Sequence, residues 1–243
     1  MTKLRSVLLA AGIGLVVSPA YAEQPETGTR LAAPQSRNSG SVAMTDRDQA
    51  VGAKRMAECV YNRKTALARQ ALMASTKAVQ DAAMNKIMGE VQCFGAEFSN
   101  ELVGMRVVNI PPQIMRGMLA EAAFKRSDDE AKKLQALPLQ QIYQRDWFAV
   151  TGRHVTVDEM GACIADTNPA GILVLSRTAP TSKEENAAFG GLMVDLGKCL
   201  RAGTKLQAGR QALRAALADA LYQRLYAPAP VAAPAPVAEA AKN

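Results

Sequence analysis

The sequence predicts an all-α protein made of two similar helical units, each stapled by one disulfide, between a disordered N-terminal segment and an Ala/Pro-rich C-terminal tail. Three observations lead to this prediction. Apolar residues recur every three or four positions, which is the period of one helix face. Several short motifs occur twice in the same order along the chain. The four cysteines divide into one pair per copy of these motifs.

Residues 1–22 have the three parts of an export signal. Lys3 and Arg5 form a basic start, an apolar run follows, and residues 20–22 form a small-x-small cleavage site. The apolar run is 11 residues long, whereas a membrane span needs about 20. We therefore expect a periplasmic or secreted mature protein without a transmembrane span. Removal of the signal lowers the net charge from +7 to +5.

Composition divides the rest of the chain. Residues 23–44 are rich in Pro, Gly, Ser and Gln, which predicts a disordered linker. Residues 227–243 form an Ala-Pro tract that favours extended polyproline-II conformations. Between them, the repeated motifs define unit 1 at 45–126 and unit 2 at 153–226, joined by a connecting segment at 127–152.

The repeated motifs indicate an internal duplication. One match between alanine-rich helices could arise by chance, but four matches in the same order, with offsets of 98 to 106 residues, indicate a common unit. The matched segments are 56–60 with 160–164, 75–77 with 181–183, Cys93 with Cys199, and 115–126 with 213–224.

Each unit is predicted to be helical. Ser75 or Thr76 can cap a helix in unit 1, and Thr181 or Ser182, followed by acids, forms a capping-box pattern in unit 2. No sustained period-two run occurs, so almost no sheet is expected. The predicted apolar stripes are Val79, Ala83, Ile87, Val91 and Phe94 in unit 1, and Ala188, Leu192, Leu196 and Leu200 in unit 2.

Prolines and aromatic residues organise the remaining segments. Pro111 and Pro112 should end irregular chain and begin the last helix of unit 1. In the connecting segment, a helix should start at the acidic run from Asp128 and break at Pro138. The adjacent aromatic residues at 147–148 are expected to pack the two units together.

Four cysteines allow three disulfide connectivities, and the duplication favours one of them. Each copy contains one pair at equivalent places, and an exported chain meets an oxidising compartment. We therefore predict the disulfides Cys59–Cys93 and Cys163–Cys199. Loop-closure entropy gives about 3.5–4 kcal/mol per bridge.

Two arginine–acid pairs are also repeated. Arg116 and Glu121 in unit 1 correspond to Arg214 and Asp219 in unit 2. Within each pair, five residues place the two side chains roughly 140° apart on a helix, so they cannot pair with each other. We expect each to bind a neighbouring helix of its own unit and so to stabilise that unit.

The sequence contains little that indicates catalysis. His154 is the single histidine, and it is expected to be exposed or to cap a helix. Nucleophile-elbow, phosphate-loop and zinc-protease motifs are absent. We therefore expect a non-catalytic protein without metal or cofactor, which binds an unknown protein or envelope component. Few aromatic residues are available for stacking on bases, so nucleic acid is not an expected partner.

Two alternative functions remain open at this stage. The first is binding to anionic envelope polymers or lipid headgroups by a basic face, formed by Lys198, Arg201, Lys205 and Arg210. The second is a carboxylate-dependent hydrolase that uses some of the acids Glu121, Asp219, Glu184 and Glu185.

Overall fold

The computed structural model describes residues 46–90, 92–93, 110–201, 203–204, 206 and 208–227. Within these ranges every regular element is a helix, which confirms the all-α prediction. The predicted signal, the linker and all but the first residue of the tail lie outside the described residues. So do Val91, Phe94 and Lys205. No helix of the described ranges combines the length and apolar character that crossing a membrane requires.

The helices are numbered in the order in which they occur along the chain. They are α1 Asp46–Arg63, α2 Thr65–Leu72, α3 Lys77–Met88, α4 Pro112–Phe124, α5 Asp128–Lys132, α6 Phe148–Thr151, α7 Val155–Thr167, α8 Pro169–Arg177, α9 Lys183–Cys199 and α10 Arg210–Tyr226.

Side-chain caps begin several of these helices. Thr76 Oγ1 accepts a hydrogen bond from Val79 N at the start of α3, and Ser182 Oγ accepts one from Glu185 N at the start of α9. His154 is exposed and caps α7 through Nδ1. Each cap satisfies a backbone N–H that has no partner within its own helix. The caps confirm the predicted helix starts at α3 and α9, and the bounds of α4 and α5 confirm the starts predicted at Pro112 and Asp128.

Helices α4 and α10 form the centre of the molecule. Every residue of α4 from Ile114 onwards and every residue of α10 from Gln211 to Gln223 is buried. A helix buried on all sides belongs to a core rather than to a surface. The two helices cross in close contact, because a Cβ atom at Gly117 would lie 2.2 Å from Ala215 Cα. Helix α1 packs on α4, and α7 packs on α10.

Both disulfides join the cysteines that the repeat spacing pairs. Cys59 of α1 is bonded to Cys93, with Cα atoms 5.6 Å apart. Cys163 of α7 is bonded to Cys199, the last residue of α9, with Cα atoms 5.7 Å apart. The first bridge joins α1 to the residues that follow α3, and the second joins α7 to the end of α9. In each bridge, one cysteine lies on a helix that packs against the central pair α4 and α10.

Two local predictions need correction. Val79 was expected on the apolar stripe of α3, but it is 38% exposed, and only Ala83 and Ile87 of the described stripe are buried. The helix of the connecting segment was expected to break at Pro138, but α5 already ends at Lys132. Glu185, an acid of the predicted capping box, is fully buried and accepts from Thr181 N at 2.9 Å. Glu185 is therefore part of the interior and not only of a helix cap.

Candidate functional site

The most unusual feature of the interior is a set of buried ion pairs where α4 crosses α10. Helix α4 supplies Arg116 and Glu121, and helix α10 supplies Arg214 and Asp219. Arg116 Nε donates to Asp219 Oδ2 at 2.7 Å, and Arg214 Nε donates to Glu121 Oε1 at 2.5 Å. All four side chains are at least 97% buried. The pairs are reciprocal, since each helix gives one arginine and one acid.

One prediction about the partners of these residues was wrong. The acids were expected to bind helices of their own unit, but Glu121 and Asp219 each bind the arginine from the other central helix. The reason is the close crossing at Gly117 and Ala215, which brings the neighbouring arginine of each helix to the acid of the other. Each arginine also donates to backbone carbonyl oxygens of its own predicted unit, as described below.

The first group of charges is the Glu121 cluster, which comprises Glu121, Arg214, Lys54 and Glu185. Arg214 Nη2 donates to Glu121 Oε2 at 2.8 Å, and Lys54 Nζ of α1 donates to the same oxygen at 2.9 Å. Lys54 Nζ also donates to the carbonyl oxygens of Ser176 and Thr178, at 2.6 and 3.0 Å. All three ammonium protons of Lys54 therefore have acceptors.

Glu185 extends the Glu121 cluster to helix α9. Arg214 Nη1 donates to Glu185 Oε1 at 2.7 Å, and Gln211 Nε2 donates to the same oxygen at 3.0 Å. Arg214 thus joins acids from α4 and α9, and its Nη2 also donates to the Thr178 carbonyl at 2.8 Å. One guanidinium connects α4, α8 and α9 to α10.

The second group is the Asp219 cluster, which comprises Asp219, Arg116, Arg153 and Asp158. Arg153 Nη2 donates to Asp219 Oδ2 at 2.5 Å, and Arg153 Nε donates to Asp158 Oδ1 at 2.6 Å. Arg116 also donates from Nη1 and Nη2 to two carbonyl oxygens at the end of α2, at 2.7 and 2.6 Å. Arg116 therefore links α2, α4 and α10.

Burial and paired charges shift the pKa values of both clusters. Burial alone raises the pKa of Asp219, but the guanidiniums of Arg116 and Arg153 outweigh it and hold this pKa below its ordinary value. For Asp158, burial dominates over Arg153 and raises the pKa. Burial also lowers the pKa of Lys54, and Glu121 opposes only part of that effect. Asp219 is thus stabilised as a carboxylate.

The acids considered for a hydrolase have different surroundings. Glu121 and Glu185 both accept from Arg214, Asp219 accepts from two arginines, and Glu184 is exposed at the start of α9. A cleft of about 240 Å³ beside α4 is lined by Glu121 but by none of the other three. This arrangement is suited to holding helices together, because the carboxylate oxygens of the three buried acids face cations.

The predicted basic face is only partly described. Lys198 Nζ lies 3.2 Å from Asp195 Oδ1, and Arg201 Nη2 lies 2.8 Å from Glu159 Oε1. Arg210 binds Asn186, and Lys205 lies outside the described residues. Two of these cations therefore already have acidic partners on their own chain.

Sequence reasoning missed three members of the clusters. Lys54 and Asp158 are 104 residues apart, the same offset as the matched segments 56–60 and 160–164, and both lie beside a repeated arginine–acid pair. That shared offset is a signal that could have identified them. No such signal exists for Arg153, which lies after a left-handed glycine, Gly152, in a short loop.

Neither a metal site in the described part of the chain nor a similar protein indicates a function. Among the residues that the structure describes, no group of three or more His, Cys, Asp or Glu side chains is arranged to hold a metal ion. A scan against protein-family models, a search of curated proteins and a search of solved structures each found no match.

Proposed function

We propose that this chain is an exported, non-catalytic protein with a binding or structural role in the cell envelope. The observation that carries the proposal is the pairing of the buried acids Glu121 and Asp219 with arginines of the opposite central helix. Charges buried in this way fix one arrangement of the helices, because removal of either partner leaves an uncompensated charge in the interior. The clusters are consistent with a scaffold rather than with an acid–base site.

The proposal includes the internal duplication of residues 45–126 and 153–226. Helices α1 and α7 each carry the first cysteine of a disulfide, and α3 and α9 each begin at a hydroxyl cap. Arg116 and Arg214 each donate to carbonyl oxygens at the end of a short preceding helix, α2 or α8. These equivalences support two copies of one unit that pack about the α4–α10 crossing.

Export is supported by the signal-like residues 1–22 and by the two disulfides, which persist in oxidising compartments. The test is fractionation of cells that express the full chain, followed by non-reducing peptide mapping. We expect a mature N-terminus at Glu23 and linked peptides that contain Cys59 with Cys93. Protein that retains its first 22 residues and carries free thiols would contradict the proposal.

The binding role is tested by crosslinking in intact cells. Cells that express the tagged chain would be compared with cells that express its Arg214→Met variant, which should disturb the helix arrangement without altering the outer surface directly. Specific crosslinks to one envelope component that depend on the native fold would support the role. Absence of any fold-dependent crosslink in the envelope would contradict it.

The two alternative functions have separate tests. Binding to anionic surfaces predicts sedimentation with anionic vesicles at low salt that is lost at high salt. Hydrolysis predicts a turnover that Glu121→Gln abolishes at a temperature where circular dichroism shows that the variant is still folded. A positive result in either assay would replace the scaffold proposal.

A further inference from the structure

The outward face of α9 is a strip of small exposed residues, Ala187, Gly191 and Val194, which lie within roughly 100° of one another around the helix. Val194 is 69% exposed. A Cβ atom built at Gly190, Gly191 or Gly197 would meet nothing within 4 Å, but only Gly191 lies on this strip, since Gly190 and Gly197 are about 100° and 120° from it around the helix. Glycine is the least favourable helix residue apart from proline, so three glycines weaken α9 and fill no contact in the described structure.

Charges lie at both ends of this face. Glu184, Gly191 and Lys198 are spaced by seven residues, so they lie within roughly 40° of one another around the helix. Glu184 is exposed near the start of α9, and the Lys198 side chain is 62% exposed near its end. The exposed ion pair of Lys198 with Asp195 contributes little, so Lys198 can accept another acidic partner.

This pattern is complementary to itself in one orientation. When two α9 helices pack antiparallel about a two-fold axis at Gly191, Glu184 of each copy comes opposite Lys198 of the other. A parallel arrangement would instead bring like charges together. Gly191 at the axis allows the two backbones to approach closely, and the exposed methyl groups of Val194 become buried.

The same device occurs inside the molecule. Helices α4 and α10 cross at Gly117 and Ala215, and reciprocal charge pairs, Arg116–Asp219 and Arg214–Glu121, lie beside that crossing. We infer that the outward face of α9 is the surface through which this chain binds a second copy of itself, antiparallel and with two-fold symmetry. The inference is independent of the envelope role proposed above.

Because one helix pair is a small interface, the dimer should be weak and dependent on concentration. The test is sedimentation equilibrium of the full chain over a range of concentrations at low salt. Glu184→Lys and Lys198→Glu should each raise the dissociation constant by at least roughly tenfold, and the double charge swap should restore it. Glu130→Lys on α5 is a matched control that should leave association unchanged.

The glycines provide a second, independent readout. Gly191→Ala should raise the melting temperature of the monomer, because alanine favours helix and its methyl group has open space, yet it should weaken the dimer by blocking close approach. The inference is overturned if the wild-type chain is monomeric at all concentrations. It is also overturned if the single charge reversals do not weaken the dimer, or if the double swap does not restore it.

Discussion

The Glu121 and Asp219 clusters have the same plan but differ in how they are completed. In each, an acid on one central helix binds an arginine on the other and a second cation from elsewhere. The second cation of the Glu121 cluster is Lys54, whose side chain is 12% exposed, and Glu121 borders a cleft. The second cation of the Asp219 cluster is Arg153, whose side chain is 4% exposed.

The side-chain amide of Gln223 adds to this difference between the two clusters. In the Asp219 cluster, Gln223 donates from Nε2 to the Leu72 carbonyl at 2.6 Å and lies 3.4 Å from Asp219 Oδ1. The residue 98 positions earlier, at the offset of the matched segments 115–126 and 213–224, is Lys125, which points to solvent and binds Glu58. The Asp219 cluster is therefore covered by Gln223 of α10, whereas the Glu121 cluster borders a cleft. The same pattern of ion pairs thus lies in a closed core on one side of the crossing and next to solvent on the other.

The largest expected effect is that of Asp219→Asn. It leaves the guanidiniums of Arg116 and Arg153 without their shared carboxylate in a closed site, which should lower the free energy of unfolding by about 3–5 kcal/mol. Glu121→Gln should cost less, because Lys54 can turn toward the cleft and water. Urea denaturation of both variants measures the difference, with Asp129→Asn on the surface as control. Equal losses would contradict the distinction between the clusters.

For the arginines we expect the opposite order: the substitution in the Glu121 cluster should lower stability more than the substitution in the Asp219 cluster. Arg214→Met removes the cation that binds both Glu121 and Glu185, whereas Arg116→Met leaves Asp219 bound to Arg153. We expect about 3 kcal/mol or more for Arg214→Met and a smaller loss for Arg116→Met. Melting temperatures of the two variants give the order. An unchanged melting temperature for Arg214→Met would contradict a stabilising role for this cluster.

The disulfides should contribute almost equally, unlike the clusters. They close loops with sequence separations of 34 and 36 residues, and the chain-entropy contribution changes slowly with loop length. Replacement of Cys59 and Cys93 by alanine, or of Cys163 and Cys199, should each cost about 2–4 kcal/mol. Urea denaturation of the two double variants tests this. If the two losses of unfolding free energy differ by more than about 2 kcal/mol, the expectation of equal contributions is wrong, and one half of the molecule depends more on its disulfide.

The smallest effect is a difference in pH dependence between two acids of one cluster. The folded pKa of Asp219 is below its ordinary value of 3.8, so its stabilisation is fully present above pH 3.8 and is lost as pH falls through the folded pKa. The folded pKa of Asp158 is raised, so its protonated form favours folding below pH 3.8, and that contribution is lost as pH rises through the folded pKa.

Variants separate these two contributions. Compared with wild type, Asp219→Asn should lose most stability at neutral pH and least at strongly acidic pH. Asp158→Asn should cost less than Asp219→Asn at neutral pH, because the buried carboxylate of Asp158 is itself unfavourable there. Denaturation midpoints between pH 2 and pH 7 measure both curves, and parallel curves for the two variants would contradict the opposite shifts.

Much of the architecture could be predicted because it depends on local signals. Apolar spacing, the caps at Thr76 and Ser182, and the prolines before α4 act within a few residues, so the sequence indicates the helices directly. The disulfide pairing also followed from sequence, since the predicted duplication places one pair of cysteines in each copy. Val79 was misassigned because the edge of an apolar stripe depends on which neighbouring helix covers it.

The sequence by itself determined the all-α class, the starts of four helices, the cysteine pairing and the presence of two repeated arginine–acid pairs. Only the tertiary structure decided which acid each arginine binds. That choice depends on the crossing of α4 and α10 at Gly117 and Ala215, a contact between residues far apart in the chain. Local spacing shows that Arg116 and Glu121 diverge on their helix, but the partner that each reaches is set by how two buried helices pack.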